Sequence, residues 1–206
     1  MFFTPKLHQL IKSVNSEQND ILRDVLNLYI TEKRFDADLT YSTGGFYKND
    51  IPQPQYKFDK YPTIEGVKSL NEIETITDNS FESVMVDPPF ILDYRDLEVE
   101  KPNSIMINRF SYFKSPKRLY EAYTYLIQQS YRVLKKGGIL VFKCMPTTWG
   151  GKPIDTPFFV KNNCYNIGFE FVDEFILVAK AKIVNRRHHT QKHSLKNHSY
   201  FFVFQK

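Results

Sequence analysis

The chain holds only two cysteines in 206 residues, Cys144 and Cys164, far apart and in no metal-ligand spacing. That excludes a disulfide scaffold and a cysteine-based metal site, and it fits a cytoplasmic protein with reduced thiols. No apolar run reaches the roughly 18–20 residues needed to span a bilayer. The opening residues Met1-Phe2-Phe3-Thr4-Pro5-Lys6 lack the apolar core of a secretory signal. No internal repeat, low-complexity tract or linker interrupts the sequence, so residues 1–206 are expected to form one domain. The Gly-x-Gly-x-x-Gly spacing is missing, which argues against a nicotinamide dinucleotide. Acids are missing from one stretch: Lys180 to Lys206 has seven Lys or Arg and no Asp or Glu.

What is present is ordinary for a globular protein: 42% apolar and 25% charged residues, with net charge +5. The charge is unevenly placed. Outside the basic end, 21 bases face 23 acids. Four of the five histidines, His188, His189, His193 and His198, also fall in that end. A solvated basic surface and a phosphate-contacting patch both fit this composition.

The pattern of apolar residues alternates between helices and strands. Ile21, Leu22, Val25, Leu26, Leu28 and Tyr29 sit at helical spacing within 17–32. Residues 34–38 and 55–59 read as short strands ending on Asp38 and Asp59, and "EIETI", 72–76, reads as a weak third strand. "FESVMV" is a fourth strand, stopped by Asp87-Pro88-Pro89-Phe90, because proline has no N–H to give a central ladder. A helix stripe over 117–135 is expected to end at Gly137-Gly138. "ILVFKCM", 139–145, has the continuous apolar character of a strand buried on both faces. A helix over 156–166 and two long final strands complete the reading. Strands alternating with helices imply a mostly parallel sheet with helices on both faces. In such sheets, ligands sit beyond the carboxyl ends of the strands. Asp38, Asp59 and Asp87 all fall at such ends, and Gly44-Gly45 follows the first.

These residues carry a resemblance. "DPPF" after an apolar strand, then a helix running into "YRVLKKGGILVFK", resembles the S-adenosylmethionine-dependent methyltransferases that act on exocyclic amino groups. "DLTYSTGGFYK", 38–48, stands where that family has its Asp-x-Phe-x-Gly-x-Gly cofactor loop. The closing "NRRHHTQKHSLKNHSYFFVFQK" is similar to the last hairpin of DNA amino-methyltransferases, and the whole looks most like the small DNA methylases of bacteria and phages. Leu39 stands where many relatives have proline, and Ser42 where they have the earlier glycine. No segment is long enough for a separate target-recognition domain.

The resemblance implies a class I Rossmann-like fold, a mostly parallel seven-stranded sheet with an antiparallel last strand. It implies S-adenosyl-L-methionine as cofactor, met by Asp38, Tyr41, Ser42, Gly44, Asp59 and Asn71, with Glu72 as an alternative to Asn71. No metal is implied. Asp87 and the Pro88 carbonyl would accept the hydrogens of the target amine, Pro89 would stiffen the turn, and Phe90 would stack on the base. Adenine N6 in DNA is preferred over cytosine N4, because cytosine enzymes more often carry Ser at position 87. An RNA base amino-methyltransferase, acting on adenine N6 or guanine N2, and a non-catalytic nucleic-acid-binding protein are the rival readings. Arg109 lies among aromatics in the polar stretch after Asp87. With Arg186, Arg187, Lys192 and His193, it is expected to contact nucleic acid. Trp149 with Gly150-Gly151 is placed on the same edge, beside the base pocket.

Overall fold

The computed structural model describes residues 10–92, 112–180 and 193–206. Its centre is an eight-stranded sheet. In chain order the strands are β1 (Val14–Asn15), β2 (Ala37–Asp38), β3 (Tyr56–Asp59), β4 (Lys68–Ser69), β5 (Phe81–Val86), β6 (Leu134–Cys144), β9 (Glu170–Val178) and β10 (His198–Gln205). A small separate hairpin pairs β7 (Thr147–Trp149) with β8 (Lys152–Ile154). The helices are α1 (Gln18–Tyr29), α2 (Pro116–Val133) and α3 (Thr156–Ile167). In space the large sheet runs β1-β9-β10-β6-β5-β2-β3-β4. Only β10 is antiparallel to its neighbours β6 and β9; the remaining pairs are parallel.

The period-2 alternation of the central strands divides the core between two faces. Val84, Val86, Leu140, Phe142, Phe202 and Phe204 pack under α2 and α3, against Leu119, Tyr123, Ile127, Val160 and Cys164. Met85, Val141, Phe201 and Val203 point the other way, toward Ile21, Leu22, Val25 and Leu26 of α1. Apolar side chains thus leave both faces of β5, β6 and β10, as the unbroken run at 139–145 predicts. Leu28, expected within the α1 stripe, is instead exposed. Tyr29 at the end of α1 donates to Asp173 of β9 at 2.5 Å, fixing the helix to the sheet. Helices α2 and α3 start where the chain supplies caps. Ser115 Oγ accepts from the Arg118 N–H ahead of Pro116, and Asp155 accepts from Phe158 N–H ahead of Pro157.

Three sequence expectations need correction. "EIETI" is no strand: Leu70–Thr75 form a 3₁₀ turn, opened by a capping box in which Glu72 accepts from the Ser69 N–H at 3.0 Å. The third strand of that edge is the two-residue β4 just before it. Gly137-Gly138 do not end α2, which stops at Val133; they lie within β6. The sheet also has one strand more than the seven expected, because Val14–Asn15 pair with Ile176 and Leu177 of β9.

Chain order reverses between β2 and β5. From β2 the chain moves outward through β3 and β4, and from β5 it moves the other way through β6. The crevice beyond the carboxyl ends of β2 and β5 is therefore the topological switch point, where open α/β sheets bind ligands.

Candidate active site at the sheet switch point

Asp38 ends β2 and Asp87 directly follows β5, so the parallel pairing of those strands sets the two acids side by side. One residue joins them. Thr40 Oγ1 accepts from the Asp87 N–H at 2.6 Å and donates to Asp38 Oδ1 at 3.2 Å. The Thr40 N–H also donates to Asp38 Oδ1, at 2.7 Å. The second Asp38 oxygen accepts from Tyr47 Oη at 2.6 Å. Asp38 is thus buried with both oxygens engaged. Burial pushes its carboxyl up to about 7; the bonds from Tyr47 and Thr40 pull it back, and the nearby Asp87 charge adds to the rise.

The loop from Thr40 to Tyr47 is shaped from within. Tyr41 stacks on Tyr47 with ring centroids 5.6 Å apart, and its hydroxyl donates to Gln53 at 2.6 Å. Gly44 has φ +71, and a Cβ there would stand 2.4 Å from Tyr41 Oη. Glycine is favoured at this point by the fold itself, since a side chain would be strained at this φ and would have to displace the Tyr41 hydroxyl. Gly45 differs: no atom lies within 4 Å of where its Cβ would be. Ser42 holds a left-handed backbone at φ 51, and its N–H donates to Asp59 Oδ2 at 2.8 Å. The other Asp59 oxygen accepts from the Tyr61 N–H. The third acid is thereby tied to the loop that follows the first, and all three acids collect on one edge of the sheet.

Asp87 is held on one side only. Its Oδ2 lies 3.4 Å from Lys143 Nζ of β6, while Oδ1 is the one buried side-chain polar atom among the described residues that has no hydrogen-bond partner. Burial raises the Asp87 carboxyl above the usual range, and the Lys143 ammonium pulls it down without cancelling that rise. The turn after it is anchored from α2, where Tyr123 Oη donates to the Pro89 carbonyl at 3.0 Å. Pro88 is buried, and Phe90 is half-buried.

The structure thus brings together Asp38, Tyr41, Ser42, Gly44, Asp59, Asp87, Pro88, Pro89 and Phe90. Asn71 is exposed in the 3₁₀ turn beyond the edge strand β4, and Glu72 is spent on that turn's cap. Arg109, Arg186, Arg187 and Lys192 lie outside the described residues; His193 opens the last described segment and is half-buried. Phe46 packs against Phe201 and Tyr47 rather than standing free. Trp149 is half-buried in β7.

Sequence reasoning missed Thr40, Tyr47, Tyr123 and Lys143. Thr40 had a signal, since an aspartate side chain often accepts from the backbone N–H two residues on and closes a local turn. Lys143 had one as well: a lone lysine inside an otherwise apolar buried strand must find a partner.

No protein-family model matches the chain, and no curated protein is similar to it in sequence. Solved structures are similar in fold. A SAM-dependent methyltransferase from Archaeoglobus fulgidus matches at 16% identity and TM-score 0.50, over 92% of this chain and 95% of that one. A protein from Galdieria sulphuraria assigned as a sarcosine dimethylglycine methyltransferase matches at 14% identity and TM-score 0.51, over 91% and 84%. A protein from Thermus thermophilus assigned as a DNA modification methylase, solved with S-adenosyl-L-methionine, matches at 15% identity and TM-score 0.44, over 66% of this chain and 52% of that one. This chain spans about half the length of that protein. The architecture is the α/β, Rossmann-like fold of class I methyltransferases: a mostly parallel sheet, helices on both faces and an antiparallel last strand.

Proposed function

We propose that this chain transfers a methyl group from S-adenosylmethionine to an exocyclic amino group of a base in DNA, adenine N6 in the first place. The observation that carries the reading is the buried, unpartnered Oδ1 of Asp87, in a proline-stiffened turn at the switch point. A buried polar atom without a partner needs an explanation, and the amino hydrogen of a bound base would supply one once the site opens to admit the base. The shared fold, the DPPF tetrapeptide and the loop after Asp38 support the same reading.

The residues fit the cofactor. When bound, S-adenosylmethionine supplies an electrophilic methyl on a sulfonium. The exposed main chain around Gly45 leaves open space for a close approach. Asp59 keeps a second lone pair on each oxygen beyond its two N–H bonds, enough for ribose hydroxyls. Asp38 takes an internal part: with both oxygens used and buried, it orders Thr40 and Tyr47 beneath the loop instead of meeting the ligand directly.

The difficulty on the acceptor side is that an aromatic amine delocalises its lone pair into the ring. Asp87 Oδ1 would accept one amino hydrogen and favour a pyramidal, nucleophilic nitrogen. As the C–N bond forms, the nitrogen gains positive charge and its hydrogens become acidic, so the same carboxylate stabilises the transition state more than the ground state. It is also the nearest base for the proton released. Phe90 would stack on the base, offsetting part of the cost of taking it out of a duplex. Tyr123 holds the turn still through the Pro89 carbonyl, so geometry supplies part of the rate.

The test is mass spectrometry of nucleosides from the DNA and RNA of cells expressing the wild type or Asp87→Ala. N6-methyladenine in DNA, present with the wild type and absent with the variant, is expected. Methylation confined to RNA would move the substrate to that polymer, and no methylated base in either would overturn the reading. In purified protein, Asp87→Ala should cost at least about 10²–10³ in rate.

A further inference from the structure

Lys143 is a lysine in a place built for apolar side chains. It is 8% exposed, next to Phe142 and Cys144, which are fully buried. β6 pairs with β5 and β10, so its carboxyl end lies beside Asp87 on one side and Phe201 on the other. The ammonium is 3.0 Å from Gln18 Oε1 at the start of α1 and 3.4 Å from Asp87 Oδ2. It also stands over the rings of Phe46 and Phe201, at 4.7 and 5.4 Å from their centroids. Four different parts of the chain therefore converge on one cation.

Fold stability does not require such a cluster. A buried ion pair replaced by apolar groups of similar volume is often as stable or more so, because desolvation offsets the Coulombic gain. What the pair does achieve is asymmetry. Lys143 takes one oxygen of Asp87, and the other is left buried and unpartnered. We propose that Lys143 is a positioning residue of the candidate site: its ammonium, itself held by Gln18, Phe46 and Phe201, fixes Oδ2 and favours the charged form of Asp87, so that Oδ1 is the acceptor left for the incoming amine. This rests on the function proposed above.

The surroundings make the cation necessary. Among the described residues, the titratable groups around Asp87 are Asp38 on β2, Tyr47 in the loop after it, Tyr123 on α2, and Cys144 beside Lys143 on β6. Burial raises all four, so the tyrosines and the thiol stay neutral, and any charge on Asp38 is negative and disfavours charge on Asp87. Lys143 is the cation that touches the carboxylate. Without it, burial would favour the protonated form of Asp87 with no cation among the described residues to oppose it. A protonated acid presents a donor to an amino group and cannot accept its proton.

The experiment compares the wild type with Lys143→Met and Lys143→Arg. The Asp87 carboxyl is titrated by ¹³C NMR, its resonance identified by loss in Asp87→Asn. A cation at this range lowers a carboxyl by about 1–3 pH units, so the midpoint should rise by that much in Lys143→Met and return toward the wild type in Lys143→Arg. If Lys143→Met does not fold, Lys143→Gln takes its place. In the methyl-transfer assay, the acid limb of kcat should move upward by the same interval, with activity recovering at alkaline pH and KM little changed. An unmoved midpoint overturns the proposal, as does a loss of kcat that is equal at every pH. Absence of methyl transfer by the wild type would count against the proposed function alone, because the NMR titration still decides the role of Lys143.

Discussion

Tyr47 Oη lies 2.6 Å from Oδ2 of Asp38, and both residues are buried. The bond favours the charged acid, yet burial outweighs it and holds the carboxyl at about 7, far above its ordinary 3.8. The unfolded chain therefore loses this proton near pH 4, and the folded chain keeps it until about 7. Between those values the folded state binds more protons, so this group's contribution to stability is complete below pH 4 and fades as pH rises through 7. Removing the donor in Tyr47→Phe should raise the folded value further and extend the decline above neutrality. Urea midpoints measured from pH 4 to 9 should show a gap between the two proteins that widens across pH 7. A constant gap would mean that Asp38 does not titrate in this range.

The two loop glycines should separate stability from ligand approach. Gly44→Ala places a side chain at φ +71 and drives its Cβ into Tyr41 Oη. The backbone alone costs about 1–2 kcal/mol, and displacing Tyr41 from Tyr47 and Gln53 adds to that. Gly45→Ala meets no atom within 4 Å and should change stability by less than about 0.5 kcal/mol. Under the proposed function, Gly45→Ala should nevertheless weaken S-adenosylmethionine binding by calorimetry. Unchanged affinity in a folded Gly45→Ala protein would place the ligand away from this loop.

The Asp87–Lys143 pair should cost stability rather than supply it. Replacing both with apolar residues, Asp87→Leu with Lys143→Met, removes a burdened carboxylate and a buried ammonium together. Replacements of this kind are neutral or stabilising by about 1–4 kcal/mol, and partial exposure of Asp87 points to the lower end. Denaturant unfolding of the double variant checks it. A loss beyond about 2 kcal/mol would show that the pair carries structural weight.

Much of this architecture was legible because its signals are long. The run through Val84-Met85-Val86 and the stretch from Ile139 to Cys144 could only be central strands, and Asp87-Pro88-Pro89 could only end one. The stripe of Leu119, Tyr123, Leu126 and Ile127 likewise required a helix. What stayed hidden was short or distant in sequence. β1 and β4 have two residues each, too few for any period to show. The β7–β8 hairpin has a signal in Gly150-Gly151, both at positive φ as a two-residue primed turn demands, but the strands on either side have three residues each, too few to show a period. At the site, the three acids were found from their strand ends, whereas Tyr47, Tyr123 and Lys143 enter through folding. Tyr123 reaches Pro89 from 34 residues away, and Lys143 reaches Asp87 from 56. The lone lysine in an apolar strand signals that a partner exists, but no local pattern says which residue it is.

The basic end yields a prediction from charge alone. Under the proposed function, Arg186→Ala with Arg187→Ala should weaken duplex binding about equally for all sequences. Each lost phosphate contact removes about 0.9 from the slope of log affinity against log salt, so the slope should fall by about 2. Titrations at several salt concentrations would measure it. An unchanged slope would assign these arginines to solvent.

Tyr123 offers the sharpest separation of rigidity from chemistry. Its hydroxyl donates to the Pro89 carbonyl, the ring is buried against Phe113 and Phe142, and the phenol is shifted well above its ordinary value by burial. It therefore remains a donor across the whole working pH range. Tyr123→Phe keeps the ring packing and removes one hydrogen bond, leaving the carbonyl without its phenol donor. That should cost about 1–3 kcal/mol of stability. The reacting groups stay in place, since Asp87, Lys143 and Phe90 are unchanged, but the turn that aims them gains freedom. Small misplacements of a reacting pair are expensive, and a shift near 1 Å costs on the order of 10²-fold. Under the proposed function, kcat should fall by between about tenfold and that value. The pH dependence should match the wild type, because the lost group never titrates there. Wild-type kcat in a folded Tyr123→Phe protein would mean that the two prolines alone hold the turn. A shifted acid limb would mean that Tyr123 acts on the charge of Asp87 instead of on the backbone beside it.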